Sequence, residues 1–441
     1  MRPRVSLLKM STRILLAGVF FSLGLPVLLL LLVLDSDARV DSTYTLTEQD
    51  SQAIEQLILD SAPESSDYTG RRQLNFSGPE LDLLFRYGTD LLASEEGLEA
   101  SARIESDALF TELSLMPLGP SVPVYLNITG EFEVDQGELV LQSVRVGQIE
   151  LPDAILSMAL DRLSGSMALT DSDSKDIQLL IGNMENFTIS EGGLSFSIYW
   201  EPELVSRIAD RTQQLLIPDS DKLLIARHYE LISEISSTIP SDIRAISLNT
   251  LFTPLFESAH QHSLEGSDPI AENRTLLQAL SVYVNNEDIQ RILGPEYPLE
   301  QANFVEVRLH KRQDLAQHMV SIAAISASTG ERFANMLSTT KEAYDARYRS
   351  GFSFSDLTAN TAGTMLATLA TRDNETALTI QQRMMHLASE EDYMPLVGSN
   401  RDGLSEAAFS DIYEDRKSSA YQARVQEMED SLSARPLFAG L

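Results

Sequence analysis

Apolar and polar residues alternate over several stretches before Trp200, and helical spacing dominates after it. In Tyr125–Val134, the residues Leu126, Ile128, Phe132 and Val134 fall on one face, while Asn127, Thr129, Glu131 and Glu133 fall on the other. A period of two is the signature of a strand with one covered face. Gly137 breaks the run, and Leu139–Val146 continues as a hairpin partner. Gly193 marks a second turn before Leu194, Phe196, Ile198 and Trp200, which alternate again. Such an antiparallel sheet needs a cover for its apolar side. Candidate helices lie at Thr47–Leu59, at 80–92 behind the capping-box spacing Ser77-Gly-Pro-Glu80, and at 154–163. The pattern predicts a mixed α/β domain over 45–200.

From 201 to 441 the pattern predicts an all-α domain. Asp268-Pro269 opens a helix carrying Leu276, Leu277, Leu280 and Val284, with proline in the first turn. Ser353-Phe-Ser-Asp356 has capping-box spacing before Leu357–Ala370, and Asp373 is placed to cap the next helix. Ala359, Gly363 and Ala367 form a small-residue ridge, which predicts close helix packing.

The first thirteen residues carry Arg2, Arg4, Lys9 and Arg13, and an uncharged run follows from Ile14 to Leu34. About 20 apolar residues span a bilayer. The run is longer than the usual signal-peptide core, so 14–34 is expected to be a retained transmembrane anchor rather than a cleaved leader. Basic residues before it, and Asp35 and Asp37 after it, place 1–13 in the cytoplasm. The fold class expected is therefore α+β: an N-terminal transmembrane helix, then a mostly antiparallel sheet with covering helices, then an all-α domain. The corresponding location is a single pass of the bacterial inner membrane with a periplasmic bulk.

Without the leader, 29 Lys+Arg face 65 Asp+Glu, a formal charge of −36. That surface disfavours nucleic acid as a partner. There is no cysteine, which excludes disulfides, thiolate metal sites and a cysteine nucleophile. Asn-x-Ser/Thr triplets occur at Asn75, Asn127, Asn186, Asn273 and Asn374 and read as chance matches in a bacterial protein.

All six histidines follow Trp200, so histidine chemistry belongs to the helical part. On a continuous helix His310, Asp314 and His318 stack at i, i+4 and i+8, a spacing suited to a shared metal or to a carboxylate–imidazole pair. Phe304–Leu309 alternates like a strand, however, and if His310 lies outside the helix only Asp314 and His318 remain paired, as acid/base candidates. Glu257-Ser-Ala-His-Gln-His262 with Glu265 offers nitrogen and oxygen donors, but residues two apart diverge on a helix, and it reads as a polar helix end. Ser350-Gly-Phe-Ser-Phe-Ser-Asp356 lacks the G-x-S-x-G elbow, and Ser353 reads as a helix cap. No Walker A or dinucleotide-binding glycine pattern occurs, so no cofactor is identified.

The stretch Gly137-Glu-Leu-Val-Leu-Gln-Ser-Val-Arg-Val-Gly-Gln-Ile-Glu-Leu-Pro152, running into Ala154–Leu163, resembles the strand-"VGxIxLP"-helix signature of YpmS-like membrane-anchored bacterial domains. Curved sheet-plus-helix shapes of that kind elsewhere bind lipids. The resemblance therefore implies an apolar groove, with Leu126, Ile128, Phe132 and Val134 as lipid-binding candidates, although ordinary sheet packing is the favoured expectation for them. Asp314-Leu-Ala-Gln-His318 together with Ser350–Gly363 resembles a set of conserved hypothetical bacterial proteins and brings no activity with it. The leading functional expectation is an extracytoplasmic binding or assembly protein with an envelope protein or lipid as partner. The alternative is an envelope hydrolase using Asp314 and His318.

Overall fold

The computed structural model describes residues 32–40, 44–65, 68–93, 98–119, 122–152, 154–156, 171–204, 217–294, 297–348, 351–397 and 402–441. In chain order the elements are β1 (Leu34–Asp35), α1 (Glu48–Ser61), β2 (Gly70–Phe76), α2 (Gly78–Ala93), β3 (Leu98–Glu105), β4 (Ala108–Leu115), β5 (Tyr125–Asp135), β6 (Glu138–Val146), β7 (Ile149–Glu150), α3 (Asp171–Gly182), β8 (Met184–Ser190) and β9 (Gly193–Trp200). There follow α4 (Asp219–Thr238), β10 (Ala245–Ser247), α5 (Asn249–Leu264), α6 (Pro269–Val284), α7 (Gln290–Leu293), β11 (Glu306–Arg308), α8 (Gln313–Thr329), α9 (Glu331–Tyr348), α10 (Phe354–Thr371), α11 (Asn374–Met384), α12 (Glu406–Tyr413) and α13 (Ser419–Ser433). The chain forms two compact units. One comprises residues up to Asp50 with Thr69–Glu201; the other comprises Ser51–Tyr68 with Pro202–Leu441.

The first unit holds two antiparallel sheets, β3-β4-β5-β6-β7 with β1 on β5, and β2-β9-β8. The β5–β6 hairpin turns through Gln136 and Gly137, both at positive φ, and pairs Val134 with Leu139 and Ile128 with Val146. Leu81 of α2, Ala102, Leu109, Leu194, Phe196 and Ile198 are buried together, with Phe132 packed on them. The Ser77–Glu80 box forms as read: the Glu80 carboxylate accepts from the Ser77 amide at 2.7 Å and from its hydroxyl at 2.8 Å. At Gly193, φ is +142° and an added Cβ would lie 2.1 Å from the Phe76 carbonyl oxygen, so only glycine lets β9 approach β2 here.

The polar face of β5 differs from the solvated face that the alternation predicts. Asn127 is fully buried. Its amide donates to Asp35 at 2.9 Å and to the Asp37 carbonyl at 3.0 Å, and its oxygen accepts from Ser114 at 2.6 Å and from the Arg39 amide at 3.1 Å. The segment 35–40 thus lies over this face and is held by a hydrogen-bonded network in place of water. Asn273 of α6 is equally buried and donates to the Ala370 and Ala377 carbonyls.

The α+β class with an antiparallel sheet and helices stands, but the membrane-spanning part of the expectation is corrected. Among the described residues no helix is long and apolar enough to cross a membrane. The end of the expected span 14–34 is built into the sheet: Leu34 and Asp35 pair with Leu126 and Tyr125, and Gln148 donates to the Leu32 carbonyl at 2.8 Å. A backbone whose hydrogen bonds are spent on a neighbouring strand is not a bilayer helix, which must satisfy them within itself. Residues 1–31 lie outside the described residues. The single-pass inner-membrane placement is withdrawn with the span that carried it.

The second unit packs helices around a core that includes Phe252, Leu276, Leu280, Met319, Ala359 and Ala367. Asp268 caps α6 by accepting from the Ile270 amide, with Pro269 in the first turn. Helices α8 and α10 pack tightly against each other. A Cβ added to Gly363 would lie 2.1 Å from the Met319 carbonyl oxygen, so the small-residue ridge brings the two backbones together.

Candidate functional site

The close approach of α8 and α10 sets the site. Strand β11 pairs in parallel with β10 and runs into a tight turn at Leu309–Arg312, where His310 and Lys311 have φ of 50° and 67°. Both central residues are left-handed, as in a type I′ turn. His310 therefore lies outside α8. Its Nε2 is 2.9 Å from the Met394 carbonyl, and its amide donates to Glu390. The expected stack of three thus reduces to Asp314 and His318, and the Asp314 charge acts on the His318 ring to favour its protonation. Asp314 is gripped by Arg312, whose Nε and Nη2 donate to its two oxygens at 3.2 and 2.7 Å. Arg312 also donates to Ser355 at 2.8 Å and to Asp356 at 3.1 Å.

His318 is surrounded instead by residues of α9 and α10. Its Nδ1 donates to Asn360 Oδ1 at 3.1 Å, which leaves the Nε2 lone pair for the Lys341 ammonium at 3.3 Å. Asp356 Oδ2 lies 3.4 Å from Nε2, and Glu342 Oε1 lies 3.9 Å from Nδ1. One donor atom each from His318, Glu342 and Asp356 falls within 4.8 Å of the others. Glu342 is 1% exposed; its Oε2 accepts from the Ser353 amide at 3.2 Å, while Oε1 has no hydrogen-bond partner. Asn360 Nδ2 is likewise buried without one.

His318 and Asp356 line an open cleft of about 630 Å³ together with Asp314, Lys341 and Asn360 among others. Burial pushes the Glu342 carboxyl up to about 8, against the opposing pull of Lys341 and with the help of Asp356. Burial also lowers His318, as does Lys341, although Asp356 and Asn360 act the other way. At neutral pH the site therefore holds an uncharged imidazole beside a protonated carboxyl. Burial raises Asp402, but hydrogen bonds from Ser355 and Ser353 outweigh it and hold its carboxylate below the ordinary range. Ser353 caps α10 by accepting from the Asp356 amide at 3.0 Å and donates to Asp402 at 2.8 Å. It has the structural duty that its spacing suggests.

Sequence reading missed Glu342, Lys341 and Asn360 as site residues and saw Asp356 only as part of a cap. Asp356 and Asn360 are one helical turn apart, which is a signal available in the sequence. Glu342 has none, because only the packing of α9 buries it.

The remaining candidates are placed elsewhere. His260 Nδ1 donates to Gln381, which donates to Asn273, so this histidine ties α5 to α11. His228 and Glu272 are both buried, and the Glu272 carboxylate is shared by Arg227, His228 and Ser267. Burial raises Glu272, but these partners dominate and bring it down to about 2. Leu126, Ile128, Phe132 and Val134 are each half-buried; Leu126, Ile128 and Phe132 stand opposite Leu115, Leu113 and Leu109 across the sheet. No family model, curated protein or solved structure matches the chain.

Proposed function

We propose that the second unit is a hydrolase whose attacking water is held and activated by His318 and Asp356, which line the cleft, with Glu342 buried beside them. One observation carries the reading. Three groups able to take or give a proton converge, His318 and Asp356 in the wall of an open cavity and Glu342 buried beside them with an oxygen that accepts no hydrogen bond. Buried polar groups are normally paired, so an exception at a cleft is a candidate for chemistry. The cleft volume lies within the range of small-molecule sites. Lys341 on its rim is placed to stabilise the negative charge that develops when water adds to an ester, amide or phosphoester centre.

This reading is preferred to a purely assembly role because an assembly surface has no use for a desolvated carboxyl beside a histidine. Turnover of a panel of chromogenic esters, phosphoesters, glycosides and peptides tests it. Wild-type protein should hydrolyse at least one class, and His318→Ala should lose about 10²–10⁴-fold. No turnover by the folded wild type, or turnover in His318→Ala and Asp356→Asn undiminished from wild type, would sink the reading.

A further inference from the structure

We propose that His318, Glu342 and Asp356 form a binding site for a divalent first-row transition-metal ion of the zinc type, with an open coordination position facing the cleft. The inference deepens the hydrolytic reading and rests on it for the role of the ion, though not for its binding.

The geometry is that of a tetrahedral edge. Zinc bonds to histidine and carboxylate at about 2.0–2.2 Å, which sets ligand atoms roughly 3.3 Å apart in a tetrahedron. His318 Nε2 and Asp356 Oδ2 are 3.4 Å apart. Glu342 completes the set within 4.8 Å, a spacing that contracts when a cation draws its oxygen in.

A second, independent observation points to a ligand. Glu342 is buried to 1% exposure, and its Oε1, 3.9 Å from His318 Nδ1 and 3.9 Å from the Lys341 ammonium, has no hydrogen-bond partner. Leaving such a group unsatisfied is costly, and a bound cation removes the cost.

Each donor residue also has its other polar atom held by the protein. Asn360 takes His318 Nδ1, Arg312 takes Asp356 Oδ1, and the Ser353 amide takes Glu342 Oε2. This is the outer-shell arrangement that orients metal ligands. An imidazole among the donors disfavours magnesium and calcium, which prefer oxygen, and supports the transition metals. The Lys341 ammonium, 3.3 Å from Nε2 and 3.9 Å from Glu342 Oε1, stands beside the cluster and donates to Asp345 at 2.8 Å. Its side chain is 49% exposed and can swing into solvent when a divalent ion enters.

The test uses the full chain, stripped by chelator and titrated with Zn²⁺ by calorimetry, with bound zinc counted by elemental analysis after dialysis. One ion per chain is expected. His318→Ala and Asp356→Asn should weaken binding by more than about 100-fold, and Asn360→Ala by about 10–100-fold. Lys341→Met should bind more tightly than wild type, a gain that misfolding cannot imitate. No binding by the folded wild type would overturn the proposal, as would affinities unchanged in His318→Ala, Asp356→Asn and Lys341→Met. Zinc binding without hydrolysis of any substrate class would remove the hydrolytic reading and leave the metal site. Hydrolysis by stripped protein that binds no zinc would do the reverse.

Discussion

Glu342 makes the sharpest stability prediction. Its carboxyl is raised to about 8 in the folded chain, from an ordinary value of 4.5, chiefly by burial, with Lys341 and the Ser353 amide opposing and Asp356 and Asp345 assisting. Below the unfolded value both states hold the proton, and the neutral group's contribution is fully present. As pH rises toward 8 the unfolded chain releases its proton while the folded chain keeps it, so stability falls across that window. At about 1.4 kcal/mol per pH unit of difference, the loss between about pH 5 and about pH 8 is roughly 3–4 kcal/mol. Glu342→Gln keeps the shape and removes the titration. Relative to wild type, the variant should therefore gain roughly 3–4 kcal/mol over the same interval. Urea unfolding followed by far-UV circular dichroism in the presence of chelator measures this. Fluorescence would report the wrong region, since the single tryptophan, Trp200, belongs to the first unit. A difference between variant and wild type that is the same at both pH values would refute the argument.

Two further outcomes follow from the packing. Gly363→Ala should destabilise the second unit by about 1–3 kcal/mol in urea, because the new methyl meets the Met319 carbonyl oxygen and forces α8 and α10 apart. The same change should weaken zinc binding, since that helix pair sets the His318–Asp356 distance. Asn127→Ala should cost the first unit about 1–3 kcal/mol, read from Trp200 fluorescence, because it strips partners from Ser114 and Asp35 beneath the segment 35–40. A variant as stable as wild type would show that the network is incidental.

Local signals were enough for what depends on a few adjacent residues. The alternation at 125–146 makes a hairpin because neighbouring side chains on a strand point to opposite faces. Ser77, Asp268 and Ser353 cap helices because a short oxygen-bearing side chain before a helix reaches its free amides. The ridge of Ala359, Gly363 and Ala367 announced close packing, though not its partner. Long-range contacts decided the rest. A hydrophobic run extending to Leu34 looks membrane-spanning on hydropathy, yet the pairing of Leu34 with Leu126 can be seen only once the sheet is assembled. Spacing put His310, Asp314 and His318 on one stripe, but two left-handed residues took His310 off the helix, and Arg312 took Asp314. The partners that His318 acquired, Asn360, Asp356, Glu342 and Lys341, come from two later helices. Burial, which raises Glu342 and leaves one of its oxygens without a hydrogen bond, is a property of the packed chain and is written in no local stretch of sequence.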